Sequence, residues 1–533
     1  MDHPVMPTSH ARRSLPQAWE NVSWLLGLES LPGHVDPDSA ALQWTGGSRT
    51  YAQLRASAIS LADSLSRAGL LPGDRVASHL FNRGETFELY FACAYAGLTL
   101  VPISFRLTSR EIGLVLDDAT PRAIFTQAEL ESTLRVALEE LAPTAPDVLV
   151  VLGDEASGSA YDALAGREDV AEFEPRHTEI QMILYTSGTT GRPKGVEMRH
   201  RNAMWCALQQ ALYYGMNAST VTMITGPMYN TAAMNEQSIP TFAVGGCVTI
   251  MPSRGWTPSS MSALIDRWRV THALIYPSMI EPMLGADETD PIDLATMHFA
   301  LTGGENCPPE TMRRFRERWP HVSLCIAYGS TESGIVSLLR DDEIAAHVGS
   351  VGRAAGAQVV LVVDNDGHPL PKGQVGRVWT AGPSIVSGYW RAPELTAGAL
   401  RDGWLDMGDL GRMDDAGYLY ISGRTKDMII SKGQNIYPAE IENAIREHPL
   451  VSDVAVVGVP DADAGEAVCA VVVRKHPDLT SGAVTAFVKE RIASYKKPRY
   501  VVFESELPRS PAGKVLKPEL LERVLKTLLK AQS

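Results

Sequence analysis

Cysteine is rare in this chain, and its placement excludes two common structural uses. The 533 residues include six cysteines, and no two of them form a Cys-x-x-Cys pair. Such spacing gives neither a disulfide framework nor a zinc site. Several of the cysteines stand in apolar runs, and we therefore expect them to be buried thiols.

Basic residues are also fewer than acidic ones. The chain has 48 Lys and Arg against 62 Asp and Glu, which gives a formal net charge of -14 at pH 7. A protein that binds nucleic acid in general carries the opposite balance, because it must neutralise phosphates. We therefore predict no nucleic-acid partner.

Long hydrophobic runs are missing as well. The longest apolar stretch, 89–103, is interrupted by Gly97 and Pro102, and it is too short to span a bilayer. It predicts a helix that leads into a buried strand, and hence no stable membrane insertion. The first residues have no basic segment followed by an apolar core, so no secretory signal is predicted. These features together predict a cytoplasmic protein.

Up to about residue 300, short strand-like runs alternate with helical patterns. The helical patterns include 51–68 and 129–141. Alternation of this kind predicts βαβ units and a mainly parallel sheet. The strand-like runs are 75–80, 98–103, 123–125, 148–152, 222–225, 247–251 and 272–276.

The pattern changes in the last third of the chain. After Gly349 the strands are punctuated by glycine, which predicts a smaller β-rich subdomain, and near Gly423 a compact α+β unit begins. A chain of 533 residues is too long for a single core. We therefore predict an α/β protein with a large N-terminal domain, residues 1–423, built of two α/β subdomains and a β-rich one. A small α+β C-terminal domain, residues 424–533, follows it.

A segment rich in glycine and hydroxyl groups follows the apolar run 182–184. Glycine permits a close approach of the backbone, so consecutive amides can surround an anion. Hydroxyls add donors, and a lysine adds a mobile positive charge. The segment therefore predicts a phosphate cradle, and a surface turn is the alternative. The cradle residues are Thr186, Ser187, Gly188, Thr189, Thr190, Gly191 and Lys194.

The cradle does not have the spacing of the common nucleotide P-loop. That loop requires Gly-x-x-x-x-Gly-Lys-Ser/Thr, whereas here Gly188 and Gly191 are closer together and Pro193 precedes the lysine. This difference counts against a kinase or NTPase.

Four further motifs follow in order along the chain, after a Gly-Gly-Glu turn at 303–305. Each taken alone has a structural alternative: a loop, a turn in which an Asp caps its own backbone, a polar hairpin, or a solvated lysine. The motifs are Tyr-Gly-Ser-Thr-Glu-Ser-Gly at 328–334, Gly-Trp-Leu-Asp-Met-Gly-Asp-Leu-Gly at 403–411, the stretch 420–436, and Pro-Arg-Ser-Pro-Ala-Gly-Lys at 508–514.

Together with the cradle, these motifs resemble the adenylate-forming superfamily. This superfamily includes acyl-CoA and aryl-CoA synthetases, firefly-type luciferases and the adenylation domains of peptide synthetases. The resemblance covers roughly residues 48–517. It implies an acid–thiol ligase that uses ATP, Mg²⁺ and coenzyme A. A small-molecule carboxylic acid attacks ATP to give an acyl-adenylate and pyrophosphate, and the CoA thiol then takes the acyl group.

The resemblance also implies roles for single residues in the first step. Lys514 bridges the acid carboxylate and the α-phosphate, and it is the main catalytic prediction, with Lys194 of the cradle also catalytic. Thr331 donates to the α-phosphate, and Glu332 is the metal ligand, because Mg²⁺ prefers carboxylate and phosphate oxygens. Asp409 accepts hydrogen bonds from the ribose hydroxyls. The remaining nucleotide-site residues implied are Gly303, Gly304, Glu305, Tyr328, Gly329 and Arg424.

Further implied roles concern the second step. Lys426 stands at the hinge about which a mobile C-terminal domain rotates between the two half-reactions. Lys432 and Gly433 line a tunnel for the pantetheine arm, where glycine leaves room.

One position departs from the pattern of CoA ligases. Pro227-Met-Tyr-Asn230 stands where they usually have Pro-Leu-Phe-His, and an amide cannot carry a proton near neutral pH. No Asp lies between Thr222 and Ile265, so we expect an acid without an α-amino group. The predicted acid pocket consists of Tyr229, Asn230, Ala232, Ala233, Tyr276, Gly303, Gly329 and Gly334.

Two alternatives stay open at this point. One keeps the adenylation but delivers the acyl group to the phosphopantetheine of a carrier protein. The other is a catalytically inactive acyl- or nucleotide-binding protein. A homodimer is a further possible assembly. The sequence does not name the acid, and bulky alicyclic, aromatic and medium-to-long aliphatic acids are all compatible with it.

Overall fold

A computed structural model describes most of the chain. The described residues are 21–26, 35–140, 145–153, 160–167, 170, 173, 175–186, 193–286, 292–305, 307–431, 434–461, 464–509 and 514–532. The cradle predictions at Ser187, Gly188, Thr189, Thr190 and Gly191, and those at Lys432 and Gly433, lie outside the described residues.

Strands and helices alternate along the first two thirds of the chain, and strands predominate after that. The strands are β1 (Ala40–Trp44), β2 (Gly47–Thr50), β3 (Arg75–His79), β4 (Thr99–Pro102), β5 (Ala123–Gln127), β6 (Val148–Leu152), β7 (Ile180–Thr186), β8 (Lys194–Arg199), β9 (Val221–Ile224), β10 (Cys247–Ile250), β11 (His272–Leu274), β12 (Phe299–Gly303), β13 (Ser323–Ser330), β14 (Gly334–Leu339), β15 (Arg353–Ala354), β16 (Val359–Val363), β17 (Gly376–Ala381), β18 (Leu400–Arg401), β19 (Trp404–Met413), β20 (Leu419–Arg424), β21 (Ile429–Ser431), β22 (Gln434–Ile436), β23 (Val451–Asp461), β24 (Gly465–Arg474) and β25 (Tyr500–Glu504). The α-helices are α1 (Tyr51–Arg67), α2 (Glu85–Ala96), α3 (Ser109–Ala119), α4 (Ala128–Glu140), α5 (Ala160–Ala165), α6 (His200–Tyr213), α7 (Thr231–Ala233), α8 (Ile239–Ala243), α9 (Pro258–Trp268), α10 (Pro277–Gly285), α11 (Pro309–Arg318), α12 (Asp341–Ile344), α13 (Pro393–Ala399), α14 (Pro438–Arg446), α15 (Ser481–Lys489) and α16 (Lys517–Gln532). Short 3₁₀ turns occupy Val22–Leu26, Thr425–Asp427 and Ser494–Lys496, and a π-helical turn occupies Met234–Ser238.

Local sequence signals fix the ends of the first long helices. Thr50 caps α1 and exchanges hydrogen bonds with Gln53 in a capping box. Helix α2 ends at Gly97, whose φ of 69° places it in the left-handed region that glycine adopts readily. The chain then enters the buried strand β4, so the prediction of a helix leading into a buried strand is confirmed.

Two large sheets form the first part of the molecule. The six-stranded sheet has the order β6-β5-β3-β4-β7-β8, and its strands are parallel up to β7, which pairs antiparallel with β8. The nine-stranded sheet has the order β15-β14-β13-β12-β11-β9-β10-β1-β2. Its central strands, from β1 through β13, are also parallel. The expected α/β architecture is confirmed.

Parallel strands place their carboxyl ends at one edge of a sheet, and ligands bind there in open α/β sheets. Strand β12 ends at Gly303, and β13 ends at Ser330, beside it in the sheet. Strand β13 takes in Tyr328, Gly329 and Ser330 of the motif at 328–334. The motif therefore begins on a rigid strand and turns only after it.

The last part of the chain forms two five-stranded sheets. One has the order β16-β17-β19-β18, with β20 paired to β19, and the other has β22-β21-β24-β23, with β25 paired to β24. The chain leaves the first of these at Arg424 and enters the second at Ile429. The second sheet has its own buried core and carries helices α14, α15 and α16. A large N-terminal and a small C-terminal domain fit this division, and the boundary at residues 423 and 424 stays a prediction.

The cysteines behave as predicted, since all six are buried free thiols. Among the described residues, no helix is both long enough and apolar enough to cross a membrane. The cytoplasmic location and the homodimer stay predictions.

Candidate active site

The two strands that flank the predicted cradle pair with each other. Strands β7 and β8 pair so that Thr186 lies opposite Lys194, and Tyr185 lies opposite Gly195. Thr186 and Lys194 are both half-buried. The hairpin therefore holds the two ends of the cradle side by side.

A short segment links this hairpin to the loop that follows β13. The Trp390 amide donates to the carbonyl oxygen of Gly195 at 2.8 Å, and the preceding residue, Tyr389, bridges to Val196. The Tyr389 hydroxyl donates to Oε1 of Glu332 at 2.8 Å. Tyr389 and Trp390 therefore connect the strand that carries Lys194 to the turn that carries Glu332. The sequence motifs did not include Tyr389, because its contact with Glu332 spans 57 positions.

Glu332 stands in the turn between β13 and β14, next to Thr331, and both residues are half-buried. The Glu332 carbonyl accepts from the Val386 amide at 3.0 Å, so the turn is fixed at its backbone as well as at its side chain. With Tyr389 on one carboxylate oxygen, the other oxygen is available to a hard cation, which prefers such ligands.

Asp409 lies on strand β19 and is only 4% exposed. Its Oδ2 accepts from the Tyr328 hydroxyl at 2.6 Å, and its Oδ1 pairs with Nε of Arg424 at 2.8 Å. The turn-cap alternative for Asp409 is wrong, since Asp406 is the residue that accepts from a nearby backbone amide, that of Gly408, at 2.9 Å.

The groups around Asp409 shift its pKa in opposite directions. Burial raises the pKa of Asp409, and the Arg424 guanidinium, the Tyr328 hydroxyl and the Lys514 ammonium oppose that rise. Each carboxylate oxygen can accept two hydrogen bonds. Asp409 therefore keeps one acceptor position on each oxygen for a ligand with two adjacent hydroxyls.

Glycines let two strand ends approach each other closely at the same edge. A Cβ at Gly303 would lie 2.4 Å from the carbonyl oxygen of Ala327, and one at Gly329 would lie 2.0 Å from that of Gly334. Gly304 has a φ of +76°, a conformation that favours glycine. Glu305, which follows it, accepts from the Ser278 hydroxyl at 3.5 Å. These close contacts leave no room for side chains between the strands.

Lys514 belongs to the C-terminal part of the chain, and its ammonium lies in the cleft formed by the residues above. Burial of the ammonium lowers the pKa of Lys514, and repulsion from Arg424 lowers it further. Attraction to Asp409, Glu332 and Glu305 opposes this shift. The residue is exposed overall, so one side of it faces solvent while its charge is within electrostatic reach of three carboxylates. The cleft therefore brings the predicted catalytic lysine, metal ligand and ribose acceptor together.

The predicted acid pocket is lined from several elements. Asn230 precedes helix α7, and its side chain makes no capping hydrogen bond. Tyr229 packs edge-on against Phe105 with ring centroids 5.2 Å apart, and its buried hydroxyl has no hydrogen-bond partner among the described residues. Ala232 is half-buried, and Ala233 is buried.

Tyr276 connects the pocket to the glycine-rich edge. A Cβ at Gly226 would lie 2.6 Å from the Tyr276 hydroxyl, and one at Gly304 would lie 3.8 Å from Cε1 of the same ring. At Gly334, with φ +64°, a Cβ would lie 2.8 Å from Sγ of Cys206. The pocket residues therefore reach the same strand ends as the nucleotide-site residues.

The sequence reasoning missed a carboxylate at this pocket. Glu236 lies in the π-helical turn Met234–Ser238, and burial raises its pKa to about 7. The sequence prediction of an acid without an α-amino group considered only aspartate between Thr222 and Ile265, and not glutamate. A π-helical turn inside a helix is frequent at functional sites, but its position is not visible in the sequence.

Lys426, the predicted hinge residue, is exposed in the 3₁₀ turn Thr425–Asp427. This turn lies between strand β20 of one five-stranded sheet and strand β21 of the other. Rotation at this point would reorient the two sheets, and the role of Lys426 stays a prediction.

Comparisons with known proteins give one family over most of the chain. The family model described as AMP-binding enzyme matches residues 33–390, and the model for the C-terminal domain of AMP-binding enzymes matches residues 440–514. A feruloyl-CoA synthase from Amycolatopsis sp is 32% identical over 93% of this chain and 99% of its own. An indoleacetate–CoA ligase from Aromatoleum aromaticum is 32% identical over 94% of this chain and 98% of its own.

Two further matches concern the acceptor and the fold. The fatty acid–[acyl-carrier-protein] ligase ScoC from Streptomyces coeruleorubidus is 33% identical over 94% of this chain and 96% of its own. The crystal structure of ATP-bound MatB from Rhodopseudomonas palustris superposes with a TM-score of 0.85 at 31% identity, over 95% of this chain and 98% of that one.

Proposed function

The chain belongs to the AMP-binding enzyme family and is an AMP-forming acid–CoA ligase, and we propose that the cleft around Asp409 and Lys514 is its adenylation centre. The observation that carries the proposal is the convergence on this cleft of groups from distant parts of the chain. Tyr328, Arg424 and Lys514 all act on Asp409.

The first step joins two anions. A carboxylate oxygen of the acid attacks the α-phosphorus of ATP, the bond between the α-phosphorus and its bridging oxygen breaks, and pyrophosphate leaves. Lys514 lowers the repulsion between the acid and the phosphate, and it stabilises charge that develops in the transition state. Thr331 donates to the α-phosphate, and Lys194 of the cradle neutralises the leaving pyrophosphate.

Asp409 and Arg424 position the nucleotide. The free acceptor positions of Asp409 bind the two ribose hydroxyls, and Tyr328 and Arg424 hold the carboxylate in place. Arg424 ties Asp409 to the end of strand β20, which directly precedes the hinge turn. Movement at the hinge is thereby coupled to the ribose site.

Glu332 fits a magnesium ion, because it offers a half-buried carboxylate oriented by Tyr389 and beside the predicted α-phosphate donor Thr331. When bound, Mg²⁺ neutralises phosphate charge. The Tyr389 hydroxyl would hold one carboxylate oxygen of Glu332 and leave the other for the ion.

The second step transfers the acyl group. The thiolate of CoA attacks the acyl carbon, the bond to the adenylate oxygen breaks, and AMP leaves with that oxygen. The proposed rotation about Lys426 precedes this step, and contact of the pantetheine arm with Lys432 and Gly433 stays a prediction. The carrier-protein relative makes a phosphopantetheine acceptor the second candidate.

The acid that best fits this pocket is a bulky aromatic one. Two relatives are named for ferulate and indoleacetate, and the pocket combines the rings of Tyr229 and Tyr276 with the small side chains of Ala232 and Ala233. Aromatic rings against aromatic side chains gain about 0.5–1.5 kcal/mol beyond the area that they bury.

A panel of acids tests the proposal. Aromatic, aliphatic and alicyclic acids are each incubated with ATP, Mg²⁺ and CoA, and pyrophosphate, AMP, ADP and thioester are measured. We expect AMP and pyrophosphate in equal amounts, with aromatic acids giving the highest kcat/KM. Formation of ADP would contradict the adenylation. Absence of pyrophosphate with every acid would instead support the inactive binding protein.

Replacing Tyr389 tests the assignment of Glu332. Tyr389→Phe removes the hydroxyl that orients the carboxylate, and a hydrogen bond to a charged group contributes about 1.5–3 kcal/mol. We expect the Mg²⁺ concentration for half-maximal pyrophosphate release to rise by about tenfold or more. Tyr420→Phe, which removes a hydroxyl bound to Asp414, serves as the control. An unchanged Mg²⁺ requirement in Tyr389→Phe would contradict the role of Glu332.

Replacing Asn230 tests whether its amide positions the CoA acceptor by a hydrogen bond. A neutral hydrogen bond is worth about 0.5–1.5 kcal/mol, so Asn230→Ala should raise the KM for CoA by roughly threefold to tenfold. Acid-dependent pyrophosphate release should be nearly unchanged. If the wild-type protein forms acyl-adenylate and transfers it to no free CoA at any concentration, the prediction fails, and the carrier protein becomes the favoured acceptor.

A further inference from the structure

Glu236 is a carboxylate at the acid pocket that the mechanism above does not use. It lies in the π-helical turn Met234–Ser238, directly after the pocket helix α7. It is half-buried, whereas its neighbours Asn235 and Gln237 are buried. Glu236 is therefore partly accessible, while the residues on both sides of it pack into the protein.

Two other carboxylates show how this chain stabilises a negative charge inside the protein. Glu88 pairs with Arg49 at 2.8 Å and accepts from the Tyr161 hydroxyl at 2.6 Å. Glu343 pairs with Arg353 at 2.8 Å and accepts from the Tyr418 hydroxyl at 2.9 Å. Each has both a cation and a hydroxyl donor.

Glu236 has neither. No hydrogen bond or ion pair joins it to another residue in the part of the chain that the structure describes. Burial alone raises its pKa, to about 7, and no cation opposes that rise. A buried charge without a partner is costly, because its lost hydration is not replaced. The Glu236 carboxylate is therefore suited to pair with a hydrogen-bond donor or a cation on the ligand.

The neighbours of Glu236 place it at the acid pocket. Its charge contributes to raising the pKa values of Tyr276, Tyr214 and Cys206, so its carboxylate is within electrostatic reach of all three. A Cβ at Gly304 would lie 3.8 Å from the Tyr276 ring, and a Cβ at Gly334 would lie 2.8 Å from Sγ of Cys206. Glu236 is thus beside the pocket walls and on a different element from the cleft that holds Lys514.

We propose that Glu236 determines the acid specificity of this enzyme by accepting a hydrogen bond from a donor on the tail of the acid, a hydroxyl, N–H or ammonium group remote from the reacting carboxylate. The inference rests on the proposed function, since it names the class of acid that the same pocket takes. A tail of pure hydrocarbon would leave the carboxylate buried and unpaired. We therefore expect acids with such tails to bind more weakly, because a buried polar group of the site loses its hydrogen-bond partner when the substrate analogue lacks the donor.

Matched acids isolate the donor from the size of the tail. One pair is 4-hydroxycinnamate and 4-methylcinnamate, in which a methyl replaces the hydroxyl. A second pair is indole-3-acetate and 1-benzothiophene-3-acetate, in which sulfur replaces the N–H. A third pair, 4-(aminomethyl)cinnamate and 4-ethylcinnamate, tests an ammonium. Acid-dependent pyrophosphate release gives kcat and KM for each acid.

Three variants accompany the wild type. Glu236→Leu removes the acceptor, and Glu236→Gln keeps an acceptor oxygen without the charge. Glu197→Gln is the control, because it changes a carboxylate that already accepts from the Ser387 hydroxyl. Thermal unfolding of each variant confirms that it is folded.

In the wild type, we expect the donor-bearing acid of at least one pair to be preferred by about tenfold to a hundredfold in kcat/KM, the effect of a hydrogen bond to a charged group. Glu236→Leu should reverse that preference, mainly through KM. Glu236→Gln should retain part of a preference for a hydroxyl or N–H and lose one for an ammonium, which separates these donors. Glu197→Gln should match the wild type.

Two results would overturn the inference and leave the proposed function intact. One is equal use of both acids in every pair by the wild type. The other is a loss of activity in Glu236→Leu that is uniform across all acids, which would assign Glu236 a structural role. Absence of pyrophosphate release with all six acids in the presence of ATP would instead overturn the proposed function, and the inference with it.

Discussion

Lys514→Ala slows acyl-adenylate formation by about a hundredfold to a thousandfold or more. The ammonium is the group placed to bridge two anions, and removal of one donor at a developing oxyanion typically costs about 2.7–4 kcal/mol. Lys514 is within electrostatic reach of Asp409, Glu332 and Glu305, and the other cation nearby, Arg424, is paired with Asp409. Acid-dependent pyrophosphate release in single-turnover experiments measures the effect.

The same variant should largely retain the second half-reaction when acyl-adenylate is supplied, because the proposed rotation about Lys426 would carry Lys514 away from the cleft for that step. Lys526→Ala removes an exposed lysine from the same part of the chain, and we expect it to retain both half-reactions. A folded Lys514→Ala protein that loses both half-reactions equally would contradict the assignment of Lys514 to adenylation alone.

Lys426→Pro separates the two half-reactions in the opposite sense. Proline fixes φ near -65°, and Lys426 lies in the turn between two sheets whose relative orientation the proposed rotation would change. The structure has Lys514 in the cleft, the arrangement that adenylation needs. We therefore expect the variant to keep pyrophosphate release and to lose acyl-CoA formation by two orders of magnitude or more, measured by parallel assays of both products.

Lys426→Ala is the matched control, since it removes the side chain and leaves φ free. It should retain acyl-CoA formation. If Lys426→Pro makes acyl-CoA as fast as Lys426→Ala does, rotation about this residue is not required, and the hinge lies elsewhere.

The sequence predicted much of the fold because local signals were strong. The helical pattern 51–68 and the strand-like runs 75–80 and 98–103 matched α1, β3 and β4 within a few residues. Strand β13 runs on into the motif at 328–334, because Tyr328 and Gly329 pair with β14. Such pairing depends on a partner strand, and the local sequence pattern does not predict it.

The candidate site was predicted only where a residue belongs to a motif. Asp409, Glu332 and Lys514 were predicted in this way, the structure places the two carboxylates within electrostatic reach of Lys514, and their catalytic roles stay predictions. Tyr389 was missed because it meets Glu332 across 57 positions. Glu236 was missed because its isolation from any cation is a property of tertiary packing.

Transfer of ¹⁸O from the acid to AMP tests the central claim most directly. An acid labelled in both carboxylate oxygens is incubated with ATP, Mg²⁺ and CoA, and the products are analysed by mass spectrometry. Attack of the carboxylate on the α-phosphorus predicts one ¹⁸O in AMP for each thioester formed and none in pyrophosphate. Unlabelled AMP, or label in inorganic phosphate together with ADP, would contradict an acyl-adenylate and with it the adenylation centre around Asp409 and Lys514.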